Sequence, residues 1–308
     1  MRLGVIDIGS NTVHLLVVDA HHGAAPIPAT SHKMLLRLSE HVGDDGAIDD
    51  VGARDLCRFV TECLEVAEDQ GCEEILAFAT SAIREAPNGD EVLTRVRTET
   101  GVDLQVLDGV DEARLTFLAA RRWVGWSAGH LLVIDIGGGS LELTLGSDEE
   151  PDVAKSLLLG AGRVTRDMLA GDPPSEQEIK EARRAVRATL AKEIRPYAKA
   201  ATPDSVVGTS KTMRSLARIA GAAPSGDGPY VIRRLRLEDI RETISRIGSM
   251  SAKERTSLPG VSASRAHQIL AGAIVAEAAM DLLGVAELTI CPWALREGVL
   301  LRYLELMA

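Results

Sequence analysis

An α/β protein built as two similar lobes is the fold this sequence predicts, and three observations predict it. Residues 3–12, Leu-Gly-Val-Ile-Asp-Ile-Gly-Ser-Asn-Thr, return at 131–140 as Leu-Leu-Val-Ile-Asp-Ile-Gly-Gly-Gly-Ser, with Asp7 on Asp135, Gly9 on Gly137 and Thr12 on Ser140. Short apolar, β-branched runs alternate with longer stretches of helical periodicity. A chain of 308 residues is long for one core and comfortable for two.

The elements follow in order. Each copy reads as a strand ending in a carboxylate, a turn of small residues, and a second strand, at 13–19 and 141–146. A third strand is expected around 34–38. A helix over 51–69 follows from the single apolar face of Leu56, Phe59, Val60, Cys63, Leu64 and Ala67. Strands at 75–79 and 104–107 flank a helix at 90–100, and a helix at 112–123 leads into the second copy. Beyond it come a strand at 153–159, a charged helix at 175–197, a strand at 205–207, and helices at 211–220 and 237–247. A long helix at 264–283, a strand at 288–290 and a closing helix from Trp293 complete the chain. Pro- and Gly-rich stretches at 171–174 and 222–229 mark surface loops. The natural domain boundary lies at 123–129, giving domains of 1–125 and 126–308.

Composition narrows the function. Hydrophobic content of 45% and charged content of 26% suit a soluble globular protein. The apolar run at the N-terminus begins at once and is broken by Asp7, unlike a secretory leader. The apolar stretch 269–284 is interrupted by Glu277 and Asp281 and is too short to span a bilayer, so it reads as a buried helix. Cys57, Cys63, Cys72 and Cys291 sit in apolar contexts without CxxC spacing, as reduced thiols of a cytoplasmic protein do. A net charge of −11 argues against broad nucleic-acid binding, which needs a basic footprint. A polyanionic ligand must then meet a local basic cluster or metal ions.

Glycine permits close backbone approach, so a turn of small residues can aim several N–H groups at one anion. The carboxylate at the strand end is placed to hold a hard cation. Two such turns, one per half, imply two lobes closing on a phosphorylated ligand with Mg²⁺ between them. A third turn, Val207-Gly208-Thr209-Ser210-Lys211-Thr212, runs from a strand into a helix N-terminus, whose amides attract anions. It lacks the GxxxxGK[ST] spacing of a P-loop, and capping by Thr209 or Ser210 is a compatible reading. The seven histidines show no zinc spacing, and no Ser-His-Asp elbow occurs.

At these residues the sequence resembles the exopolyphosphatase/guanosine-pentaphosphate phosphatase family, within the superfamily of actin, sugar kinases and heat-shock ATPases. Asp7–Thr12, Ala79-Thr80-Ser81-Ala82-Ile83-Arg84-Glu85-Ala86, Gly-Val-Asp-Glu-Ala-Arg-Leu from Gly109, Asp135–Leu143 and Gly208–Ala217 carry the match. Leu258-Pro259-Gly260, Arg265-Ala266 and Ala294-Leu295-Arg296-Glu297-Gly298 extend it toward the C-terminus. The match is to a short form without the additional helical region of longer members. Lys211, where many members have a small residue, and Leu141, in place of a common Thr, are the departures.

The resemblance implies two actin-like, ribonuclease H-like lobes, each a mixed sheet flanked by helices, with a cleft between them. The phosphate-binding domain would be 1–125, with the final helix, 293–308, packing back on it. Glu112 takes the role of catalytic base. Asp111 and Glu112 project about 100° apart on a helix, so only one faces the cleft. Asp135 and Glu142, with a water-mediated contribution from Asp7, would hold Mg²⁺ or Mn²⁺, since Mg²⁺ favours a few carboxylates plus water and phosphate oxygens. Phosphate contacts fall to Gly9, Ser10, Asn11 and Thr12, to Ser81 and Arg84, and to Gly137, Gly138, Gly139 and Ser140. Gly208, Thr209, Ser210, Lys211 and Arg265 complete the set, and Arg163 is a further candidate that reads equally well as a surface arginine. The implied activity is release of terminal orthophosphate from inorganic polyphosphate by a cytoplasmic homodimer, with no nucleic-acid or membrane partner. Guanosine pentaphosphate is the alternative substrate, although aromatic content of 3% offers little for base stacking. A kinase or ATPase of the same superfamily and a non-catalytic phosphate-chain sensor are the rivals. The Glu112 segment and the Thr-Ser-Ala-Ile-Arg-Glu segment argue against a kinase. Retention of Glu112, Asp135 and Glu142 argues against a sensor.

Overall fold

The computed structural model describes residues 1–21, 23, 26–43 and 45–306, apart from the side chain of residue 39. The chain forms two compact units, Met1–Leu115 with Leu295–Ala308, and Thr116–Ala294.

In the first unit β1 (Arg2–Ile8), β2 (Thr12–Asp19), β3 (Thr30–Leu35), β4 (Glu74–Ala79) and β5 (Gln105–Val106) form one sheet in the order β3-β2-β1-β4-β5. β1 pairs antiparallel with β2 and parallel with β4, and β4 pairs parallel with β5. Helices α1 (Asp50–Asp69), α2 (Ser81–Arg84), α3 (Gly89–Thr100) and α4 (Gly109–Val124) follow in chain order, and the division between units falls inside α4. Asp49 caps α1 by accepting from the Gly52 N–H at 2.7 Å, and Leu56, Cys57, Val60, Cys63 and Ala67 bury its inner face. That face packs with Ile6, Ile8, Val13, Leu15 and Val17 on one side of the sheet.

The second unit repeats the plan. β6 (Leu131–Ile136), β7 (Leu141–Gly146), β8 (Val153–Leu157), β9 (Ser205–Thr209), β10 (Arg234–Arg236) and β11 (Glu287–Ile290) form a sheet in the order β10-β11-β9-β6-β7-β8. β6 is antiparallel to β7 and parallel to β9, which is parallel to β11. β6, β7, β8, β9 and β11 thus reproduce the order and direction of β1, β2, β3, β4 and β5, so the sequence repeat is a repeat of fold. Helices α5 (Ala161–Met168), α6 (Glu176–Glu193), α7 (Arg195–Lys199), α8 (Ser210–Ile219), α9 (Leu237–Ile247), α10 (Ala252–Arg255) and α11 (Ile269–Leu282) belong to this unit. Leu132, Ile134, Ile136, Leu141, Leu143 and Leu145 face the main helical core, whereas Leu131 and Val133 face Phe117 and Ala120 of α4. Both faces are covered, so every residue of β6 and β7 is buried and the strands read as apolar runs rather than alternations. α11 is buried from Ile269 to Met280, the behaviour of a helix apolar all round. No helix among the described residues is long and apolar enough to cross a membrane.

The last helix, α12 (Leu295–Leu306), belongs to the first unit, where Leu300 and Leu304 pack on Leu3, Val5, Leu16, Val18 and Phe78. Gly298 lets it approach α4, because a Cβ there would stand 1.9 Å from the Leu115 carbonyl oxygen. The expected helix reaches 308, and residues 307 and 308 lie outside the described ones.

Three expectations are corrected. The helix expected at 264–283 starts only at Ile269, because Ala263–Arg265 form a separate 3₁₀ turn that carries Arg265. The helix expected at 175–197 breaks at Ile194, where Pro196 opens α7 instead of extending α6. The strand expected around 34–38 is β3, Thr30–Leu35, and α5 answers to no expected element, since Gly160 and Gly162 mask its helical pattern.

Candidate active site

Each glycine turn is closed by the same bond. Gly9 N–H donates to the Thr12 carbonyl at 3.0 Å and Gly137 N–H to the Ser140 carbonyl at 2.9 Å. Duplication extends to a second pair of Thr-Ser steps at the end of the next parallel strand in each unit, Thr80-Ser81 just after β4 and Thr209-Ser210 where β9 passes into α8. The sequence reading treated these as separate motifs, because the spacing between first and second turn differs by one residue.

In the first unit the sequence-predicted residues gather at the C-terminal ends of β1, β4 and β5, where open α/β sheets bind ligands. Ser10 Oγ and Ser81 Oγ lie 3.3 Å apart, both buried. Asn11 is buried, and its carbonyl accepts from Leu36 N–H and Arg37 N–H at 3.1 and 3.0 Å. Thr12 opens β2. Arg84 donates from Nη1 to Glu112 Oε2 at 3.0 Å and to the Leu107 carbonyl at 2.8 Å, and from Nε to Glu85 at 3.0 Å. Asp108 accepts from the Asp111 N–H at 2.7 Å, which starts α4. Asp111 then turns outward to Arg114, with its side chain 53% exposed, while Glu112 turns in beside Arg84 at 13%. Burial pushes the Asp7 carboxyl up to about 6, opposed by Arg296, whose Nε stands 3.7 Å from Asp7 Oδ2.

In the second unit the carbonyls of Gly137, Gly138 and Gly139 all turn toward the start of α5. They accept from Ala161 N–H at 2.9 Å, Gly162 N–H at 2.9 Å and Gly160 N–H at 3.2 Å. In a trans peptide the N–H points opposite to the C=O that precedes it. The N–H groups of Gly138, Gly139 and Ser140 are therefore directed together away from α5, as an anion cradle requires. Close approach demands glycine at 160, where a Cβ would lie 2.4 Å from Gly139 C and Ser140 N. Arg163 Nε donates to the Gly139 carbonyl at 3.3 Å, which places this side chain behind the turn.

Asp135 and Glu142 are partners across β6 and β7 in the antiparallel register, so both face the α4 side of the sheet. They are 8% and 3% exposed. Like charges directly opposite one another across strands are about 5 Å apart at Cβ and repel. The equivalent of Glu142 in the first unit is His14, partner of Asp7, so only the second copy pairs two carboxylates. Burial raises the Asp135 carboxyl, against hydrogen bonds from Thr209 and Ser210 and the charges of Arg214 and Arg265. Thr209 Oγ donates to Asp135 Oδ2, and Ser156 Oγ donates to Glu142 Oε1 at 2.8 Å. The guanidinium of Arg265 is lowered chiefly by burial and then by the like charge of Arg214.

Gly208 lies inside β9, paired with Ile134 and Ile290, and its carbonyl accepts from Cys291 N–H at 2.9 Å. Ser210 has φ +78°, in the left-handed region that costs a non-glycine residue about 1–2 kcal/mol. Lys211 is half-buried in the first turn of α8. The sequence reading missed Arg214 and Gln268. Arg214 Nε and both amide atoms of Gln268 are buried without a hydrogen-bond partner. No sequence signal marks either, because helical periodicity does not tell a buried cation from a solvated one.

The comparisons agree with this picture. The chain is similar to exopolyphosphatase 1 of Mycobacterium tuberculosis, 55% identical over 305 residues, covering 99% of this chain and 89% of the relative. Among solved structures it resembles an exopolyphosphatase from Cytophaga hutchinsonii, with TM-score 0.86 and 25% identity over 99% of this chain and 98% of the other. It also resembles the Ppx/GppA enzyme of Aquifex aeolicus, with TM-score 0.79 and 27% identity over 98% and 99%. Residues 16–307 match the Ppx/GppA phosphatase family, and the chain belongs to it.

Proposed function

We propose that this phosphatase is an exopolyphosphatase, releasing terminal orthophosphate from inorganic polyphosphate. The observation that carries the reading is the turn at Gly137–Ser140, three successive N–H groups aimed one way at the end of β6. The relative named exopolyphosphatase 1 supports the substrate class.

In this reading the turn binds the terminal phosphoryl group and stabilises the charge on its oxygens as it is transferred. Glu112 accepts a proton from water as the water oxygen bonds to phosphorus. The bridging P–O bond breaks, and the shortened chain leaves with that oxygen as an anion. Arg84 fixes one oxygen of Glu112, so the carboxylate keeps one orientation.

A divalent cation fits the chemistry of the second unit. Two buried carboxylates, Asp135 and Glu142, are partners across β6 and β7, and each accepts a hydrogen bond from a hydroxyl, that of Thr209 and that of Ser156. Among the described residues no group of three or more His, Cys, Asp or Glu could hold a metal. A pair of carboxylates suits Mg²⁺, which takes its remaining oxygens from water and phosphate, with Mn²⁺ as a substitute. Bound there, the ion would neutralise phosphoryl oxygens. Asp7 is proposed as a further, water-mediated contributor. The reading also includes a homodimer working in the cytoplasm, on the family resemblance, and sedimentation velocity checks the dimer.

The deciding experiment measures phosphate release from short polyphosphate, long polyphosphate and guanosine pentaphosphate, with Mg²⁺ and with chelator. Release from polyphosphate is expected. Turnover confined to guanosine pentaphosphate would replace the substrate, and transfer of phosphate from ATP to an acceptor would replace the reaction.

A further inference from the structure

We infer that Arg214, beside Arg265, grips the phosphate next in line to the one in the glycine turn, so that the second unit recognises a chain of phosphates rather than a single one. The inference deepens the exopolyphosphatase reading and rests on it for the identity of the chain.

Placement comes first. β9 lies beside β6 in parallel register, with Thr209 opposite Asp135, and α8 opens immediately after Thr209. Its first residues therefore start one inter-strand spacing, about 4.8 Å, from the strand that ends in the glycine turn. Arg214 stands just over one turn into that helix. Its charge acts on Asp135 and on Arg265, and the charge of Arg265 also acts on Asp135.

The charge count comes next. Two guanidiniums act on Asp135, which already accepts from Thr209. Burial leaves Arg214 Nε with no hydrogen-bond partner. Withdrawing a donor of this kind from water without replacement is unfavourable. The like charges of Arg214 and Arg265 also repel each other. An anion with several oxygens answers both. The N–H groups of the turn occupy one phosphate, which leaves the guanidiniums to a neighbouring one, and planar guanidinium matches phosphate oxygens.

The test is calorimetric binding of orthophosphate and of tripolyphosphate to the full chain in chelator, at fixed salt. Orthophosphate reaches only the turn, whereas tripolyphosphate extends beyond it. Wild type is expected to bind tripolyphosphate tighter. Arg214→Ala should weaken tripolyphosphate about tenfold or more. Orthophosphate should weaken by less than about threefold, and Arg214→Lys should recover part of the loss. Equal weakening of both ligands would make Arg214 a structural residue and overturn the inference, as would no weakening in a folded variant. Wild type binding both ligands equally would overturn it too. Should Arg214→Ala fail to fold, Arg214→Gln, which keeps most of the volume, takes its place. Phosphate release from polyphosphate by wild type is measured alongside. Its absence would remove the function proposed above and leave the binding comparison to stand or fall separately.

Discussion

Arg84 and Glu112 are bound to each other at 3.0 Å, although 28 residues of sequence separate them. Both side chains are largely withdrawn from water, at 16% and 13% exposed, and Arg84 is anchored again by the Leu107 carbonyl. A pair so placed is better ordered than a surface ion pair. It joins the two residues to which the family resemblance gives phosphate binding and proton removal.

Glu112→Gln should leave the fold intact and lower kcat by about 10²–10⁴-fold, the range for losing a general base. Steady-state phosphate release on a variant of unchanged melting temperature checks this. Near-normal turnover would shift attention to the exposed neighbour Asp111.

Removing divalent ions should abolish phosphate release, and Mg²⁺ or Mn²⁺ should restore it. Asp135→Asn and Glu142→Gln should each raise the metal concentration giving half activity. Each should also ease the repulsion between two buried carboxylates, so neither is expected to lower the melting temperature measured in chelator. Wild-type metal dependence in both variants would place the ion elsewhere.

Gly160→Ala is expected to cost about 1–3 kcal/mol, as overpacking does. The added Cβ meets backbone atoms of Gly139 and Ser140 at 2.4 Å, and backbone cannot swing aside as a flexible side chain would. Orthophosphate binding should fall with it, because the displaced turn carries the N–H groups. Denaturant unfolding and calorimetry on the same preparation would detect both effects. Unaltered binding would separate the turn from the anion.

Asp281 joins two helices through Arg187 and Arg241, each at 2.7 Å. The hydrogen bond from Arg187, followed by the charges of both arginines, holds its carboxyl below the ordinary value. A depressed folded-state value adds stability above the unfolded value, about 3.9, that disappears as pH falls through the folded one. Asp281→Asn should thus lower stability at neutral pH by no more than about 1 kcal/mol after solvent screening, with a correspondingly lower melting temperature, and match wild type in strong acid. Melting curves across that range decide it. A difference that persists in acid would mean a packing effect.

The repeat at Asp7 and Asp135 made the two sheets and their glycine turns legible from sequence, because the strand-turn-strand signal is local. What escaped depends on distant pairing. Thr80 and Thr209 become equivalent only when β4 is laid beside β1 and β9 beside β6. The orientation of Arg214 needs α8 seated on the sheet. Arg265 looked like part of a long helix, since the apolar run of α11 masks a start at Ile269. The helix α5 was hidden by Gly160 and Gly162, whose role is close approach to the turn and not flexibility.

The route of the chain sets an order on its synthesis. Thr116–Ala294 is one uninterrupted stretch, whereas the first unit is completed only by α12. While the ribosome is still making the intervening residues, Leu3, Val5, Leu16, Val18 and Phe78 have strands to sit in but lack Leu300 and Leu304 to cover them. An unfinished apolar sheet face of this kind is where nascent chains aggregate. The part of the protein made first is therefore the last to be sealed.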